Sequence, residues 1–86
     1  MKEPRLLSSV APTYPQAAMQ ANVQGDVKVQ ATIDETGRVT KMKIVSGPAL
    51  LQRAAMDAVR QWRFAPSVLN DKPIAVDEVI TVRFHR

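Results

Sequence analysis

Eighty-six residues are enough for one small domain with one core and too few for two. The absence of cysteine excludes a disulfide framework and a thiolate metal site, and the one histidine, His85, stands next to the last residue. Twelve Lys and Arg against eight Asp and Glu leave a net charge of +4, ordinary for a solvated domain of this size, while no apolar run reaches the roughly 18 residues of a membrane span and the N-terminus lacks the apolar centre of a signal peptide.

Residues 1–11 mix Lys2, Glu3, Pro4, Arg5, Ser8 and Ser9 without a sustained period and read as a linker or flexible arm, on which Leu6, Leu7 and Val10 could dock locally. The domain is expected over residues 12–86. Tyr14-Pro15 opens Gln16 to Ala21, whose composition favours one or two helical turns with Pro15 at the start. Tyr14 is expected to bury its ring and leave its hydroxyl in water. From Gly25 the period becomes two: Val27, Val29, Ala31 and Ile33 point one way and Lys28, Gln30 and Thr32 the other, as in a half-buried strand.

Asp34-Glu35-Thr36-Gly37 reads as a hairpin turn with an acidic start and a glycine able to take a positive φ. The return strand, Arg38 to Ser46, sets Met42 and Ile44 against Lys41, Lys43 and Val45. Val39 breaks that alternation, which requires either a bulge near Val39-Thr40 or a second, weakly apolar face. Gly47-Pro48 then suits the start of a helix. Leu51, Ala54, Ala55, Ala58 and Trp62 recur at three- and four-residue steps, opposite Gln52, Arg53, Asp57, Arg60 and Gln61. The alanines leave little side chain between helix and neighbour, so the expected neighbour is a sheet at close approach. Pro66 forces an extended chain just before it, at Phe64 and Ala65.

Residues 66–73 read as a connecting loop with Asn70-Asp71 as turn residues. Ile74 to Phe84 alternates again, with Val76, Ile80, Val82 and Phe84 inward, Asp77, Val79, Thr81 and Arg83 outward, and Glu78 as an inward exception. The expected core includes Tyr14, Ile33, Leu51, Trp62 and Phe64. The order helix, strand, strand, helix, strand gives an α+β fold, two helices packed on one face of a three-stranded antiparallel/mixed sheet. The last strand pairs antiparallel with the first, runs parallel to the second and lies at an edge, its outer row of N–H and C=O groups open.

Chemistry finds poor material here. The serines have no histidine partner in the pattern, Asp34-Glu35 suits a turn, Asp77-Glu78 suits edge-strand charge, and three glycines make no phosphate loop. No enzyme, metal or cofactor is expected. Nor is nucleic acid, because the hairpin strands lack the aromatic side chains on which sheet readers stack bases.

Tyr14-Pro15, Val23-Gln24-Gly25-Asp26-Val27, Ile33-Asp34 with Gly37-Arg38-Val39, Ala54-Ala55 with Ala58-Val59-Arg60-Gln61-Trp62-Arg63-Phe64 and Pro66, and the closing Val82-Arg83-Phe84 together resemble the C-terminal domain of the TonB family. The resemblance covers about Pro12 to Phe84, and its order and spacing are specific where each fragment alone is not. It implies a fold like that of a TonB C-terminal domain and an energy-transducing module of the bacterial periplasm, tethered by a linker and an anchor outside this chain to the inner membrane, where the family works with ExbB and ExbD. In that family the domain grips the Ton box, an extended segment of outer-membrane transporters, by β-strand addition to its last strand.

Carried onto this chain, the partner-binding residues are Val76, Asp77, Glu78, Val79, Ile80, Thr81, Val82, Arg83 and Phe84. Well-known members carry a Gln-Pro just ahead of Tyr-Pro that contacts the transporter; the equivalent stretch here is Val10, Ala11 and Pro12. A second reading takes the same fold as an interaction or sensor domain appended to another membrane protein, such as a signalling peptidase. An open last strand would also allow a homodimer.

Overall fold

The computed structural model describes residues 5–85. Met1 to Pro4 of the expected arm, and Arg86 at the end of the expected domain, lie outside the described residues. In chain order the elements are β1 (Leu6–Ser8), α1 (Gln16–Gln20), β2 (Gly25–Ile33), β3 (Val39–Ser46), α2 (Ala49–Val59), β4 (Arg63–Phe64), β5 (Ser67–Leu69), β6 (Lys72–Ile74) and β7 (Val76–Phe84).

The principal sheet has the order β3-β2-β7, with β2 antiparallel to both neighbours. Alternation along β2 decides which face is covered: Val27, Val29, Ala31 and Ile33 are fully buried, while Lys28 and Gln30 are exposed. From α2 come Leu51, Ala55, Ala58 and Val59, and from α1 comes Ala18, so both helices lie on that face. Ile80, Val82 and Phe84 complete the core from β7, and Phe64 from β4. At about 25 cal/mol per Å², each large buried side chain contributes about 1.5–3 kcal/mol relative to an exposed one, which makes this single face the source of the domain's cohesion.

The expected α+β frame is present, with a different strand count: seven strands in three sheets among the described residues. The ribbon β5–β6, paired Ser67 to Ile74, Val68 to Pro73 and Leu69 to Lys72, replaces most of the loop expected over residues 66–73 and takes Ile74 from the expected last strand, which begins at Val76. Its turn residues Asn70 (φ 52°) and Asp71 (φ 63°) are both left-handed, the geometry whose twist matches that of a two-residue hairpin. Leu6–Ser8 pairs with β4.

Of the two alternatives left open by the Val39 pattern, the structure takes the bulge, which returns Val39 to the core face. The pairing jumps from Thr32–Lys41 to Ile33–Val39, which makes Thr40 a bulge, and Val39 packs against the core. A second shift lies between Lys28–Ser46 and Val29–Ile44, leaving Val45 as the extra residue. Pro48 is the residue flanking α2 rather than its first helical one, and Gln52 Nε2 donates to the Gly47 carbonyl at 2.9 Å.

Tyr14 corrects one expectation. Its ring stands edge-on to Phe84, with centroids 5.6 Å apart, but its hydroxyl donates to the Val23 carbonyl instead of to water. The left-handed Asn22 (φ 55°) lies in the turn between α1 and Val23, a reversal that a reading of the Tyr14 neighbourhood alone does not contain.

Candidate functional site

β7 is held from one side and by one strand. Its register with β2 runs from Gly25–Phe84 to Ile33–Val76 through nine consecutive pairs without a shift. Among the described residues no strand pairs with its other side, because β1 lies on β4. In a strand paired on one side, alternate residues turn their N–H and C=O groups outward, ready to bond another backbone.

β3 forms the opposite edge and differs in kind. Bulges at Thr40 and Val45 interrupt its pairing, and Lys41 and Lys43 stand on it. Bulges and lysines are the devices that blunt an edge against added strands. Of the two borders, β7 alone offers an uninterrupted backbone template.

The side chains of β7 divide as the pattern expects. Ile80, Val82 and Phe84 are buried, Val76 and Glu78 are half-buried, and Asp77, Val79, Thr81 and Arg83 are exposed. Burial of alternate residues anchors the strand to the core from its inner face. Thr32 Oγ1 donates to Asp77 Oδ1 at 2.7 Å, tying the start of β7 to the central strand. At its far end His85 Nε2 lies 3.8 Å from Asp26 Oδ1.

The other sequence-designated stretch, Val10, Ala11 and Pro12, lies beside α2. The Trp62 indole N–H donates to the Val10 carbonyl at 2.9 Å. Val10 and Ala11 form one wall of a groove of about 350 Å³ whose other wall includes Leu50, Ala54 and Ala58. Trp62 itself is half-buried: α2 ends at Val59, before the face that its spacing extends to Trp62 is complete. Ile33, Leu51 and Phe64 are buried and Tyr14 half-buried. The Trp62–Val10 link spans 52 residues of sequence, and no local signal announces a contact of that range.

Acidic groups serve the fold. The Thr36 hydroxyl donates to Asp34 Oδ1 at 2.6 Å and the Arg38 N–H at 3.0 Å, which with the Thr36 N–H and the Arg38 charge hold the Asp34 carboxyl below its ordinary value. That carboxylate fastens the β2–β3 turn. Among the described residues no group of three or more His, Asp or Glu is arranged to hold a metal ion.

The family model described as Gram-negative bacterial TonB protein C-terminal matches residues 10–85. The chain is similar to Protein TonB of Vibrio cholerae, 33% identical over 85 residues, covering 95% of this chain and 35% of that protein. It is 40% identical over 83 residues to Protein TonB of Yersinia enterocolitica, covering 94% of this chain and 30% of that protein. It thus spans about a third of the length of these relatives. In three dimensions it resembles the solution NMR structure of the Pseudomonas aeruginosa TonB CTD, with TM-score 0.77 and 26% identity over all of this chain and 89% of that one. The TonB2 protein of Vibrio anguillarum, at 23% identity and TM-score 0.61 over all of this chain and 86% of that one, shares the fold.

Proposed function

The chain belongs to the Gram-negative bacterial TonB C-terminal family, and on that premise we propose that it is the periplasmic partner-binding domain of a TonB-type energy transducer. It is a protein-interaction domain and not an enzyme. Its partner is the Ton box of an outer-membrane transporter, which adds as a strand beside Val76–Phe84, and Val10, Ala11 and Pro12 supply a second contact. Coupling to ExbB and ExbD, and tethering to the inner membrane, belong to the rest of such a transducer.

The observation that carries this reading is the uninterrupted open border of β7, contrasted with the bulged and lysine-bearing border of β3. Strand addition takes its affinity from main-chain hydrogen bonds and its selectivity from alternate side chains. About four to six such bonds, each contributing about 0.5–1.5 kcal/mol net, offset the cost of association only in part, which corresponds to an affinity near micromolar. A backbone-read grip of this strength suits a module that engages several partners and lets them go. Because the new bonds lie side by side along one strand, a pull along it loads several at once.

An NMR titration of the isotope-labelled chain with synthetic transporter Ton-box peptides tests the reading. The expected result is a saturable shift of amide signals from Val76 to Phe84, with those of β3 little changed. Shifts confined to β3 or to α2, or none at all, would refute it.

A further inference from the structure

The helices cover one face of the principal sheet and leave the other bare. Cross-strand partners share a face, so the pairs Gln30–Lys43, Thr32–Lys41 and Lys28–Thr81 place Lys28, Lys41 and Lys43 together on the bare side. Alternation beyond Val39 and Phe64 adds Arg38 and Arg63, which are bridged to each other across the end of the sheet. All five are exposed.

Arg38 acts on the Asp34 carboxylate beside it, and the five form no ion pair among the described residues, where the ion pairs are Arg60–Asp57 and His85–Asp26. Acids share the face as well: Asp26, two residues from Lys28 on the same side of β2 and 3.8 Å from His85, and Asp77, which accepts from Thr32 and keeps its charge. Strand geometry spaces Lys41 and Lys43 roughly 7 Å apart, with the neighbouring strand roughly 5 Å away. The result is a flat face on which the cations outnumber the acids.

Edge protection accounts for part of it, since lysines on β3 repel a stray strand. It does not account for Lys28, which is on the central strand. The face carries no aromatic ring on which a nucleic-acid base could stack, and the groove described above lies on the helix side. What remains complementary to a flat, cationic sheet is an extended plane of phosphates, into which long lysine stems can reach independently of one another.

We propose that the bare sheet face, through Lys28, Lys41 and Lys43 with Arg38 and Arg63, docks on an anionic phospholipid surface. The β7 border stays free in that pose because its open groups point along the sheet rather than out of its face. The docking is therefore independent of strand addition and stands or falls separately from it.

Co-sedimentation of the 86-residue chain with vesicles tests the proposal, using phosphatidylcholine alone and phosphatidylcholine with roughly a quarter phosphatidylglycerol. Binding is expected only to the anionic vesicles, and to weaken between about 0.01 M and about 0.15 M salt as the screening length shortens. The combined variant Lys28→Gln, Lys41→Gln, Lys43→Gln should bind roughly a hundredfold more weakly, and Lys28→Gln alone about fivefold. A charge-matched control, Arg53→Gln, Arg60→Gln, Lys72→Gln, should change binding by less than about threefold. Equal losses in the two triple variants, no binding by the parent chain, or tighter binding to a single-stranded oligonucleotide than to the anionic vesicles would each overturn it.

Discussion

Gly37 lies directly beneath the main chain of Phe64: a Cβ built on it would stand 1.8 Å from the Phe64 carbonyl oxygen. The Phe64 N–H donates to the Gly37 carbonyl at 2.9 Å, and Gly37 has φ +90°. A glycine that the turn needs for its conformation is thus also the point where the β2–β3 turn touches β4.

Gly37→Ala should therefore destabilise by more than about 3 kcal/mol, combining a strained φ with a backbone collision that no rotamer can relieve. Urea unfolding measures it. A midpoint equal to that of the parent would mean that the turn and β4 are not in contact.

Trp62→Phe removes the indole donor to Val10 while keeping an aromatic ring beside Phe64, whose centroid is 6.4 Å away. The expected cost is about 0.5–1.5 kcal/mol, with faster amide exchange over Leu6 to Val10. Trp62→Ala should cost less than the roughly 3–5 kcal/mol of a fully buried large aromatic, because the side chain is half-buried. Unaltered exchange in the Phe variant would argue against the link to Val10.

Asp34 governs the pH response of its turn. Its carboxyl is held below the ordinary value in the folded chain, so it stabilises the fold fully above the titration of the unfolded carboxyl. That contribution disappears as pH falls through the lower, folded value. Asp34→Asn should flatten the acid limb of a plot of unfolding midpoint against pH. Parallel acid limbs for parent and variant would contradict the assignment.

Proline at Ile80 and at Thr81 should separate the two sides of β7. One of these neighbouring N–H groups faces β2 and the other faces outward. Loss of the inward donor should cost about 3 kcal/mol or more. Loss of the outward donor should leave a folded chain that no longer binds Ton-box peptide. A folded variant lacking the outward donor, with unchanged peptide affinity, would count against strand addition at β7.

The frame of this domain is legible because its signals are local. Period two from Val27 to Ile33 and spacings of three and four from Leu51 to Ala58 name a strand and a helix with their buried faces, and Pro48 marks where the helix begins, whereas its end at Val59 comes well before Pro66. Even the bulge near Thr40 shows as a fault in alternation at Val39. The open last strand follows from the same reading, since three strands joined by a tight turn and a helical crossover have few ways to pair.

Other features depend on residues far apart in sequence. The β1–β4 pairing, the Trp62–Val10 hydrogen bond and the seat of Gly37 under Phe64 each join segments whose composition does not point at the other. The ribbon at Asn70-Asp71 was a turn by composition, but without glycine its left-handed pair was not apparent. Periodicity is a property of one segment and can be read along it, whereas register is an agreement between two. The amino-acid order alone therefore determined the two helices and the three principal strands, their buried sides and the open border of β7. Only the folded chain decided that β3 is a broken edge, that the cations share one bare face, and where the arm and α2 meet.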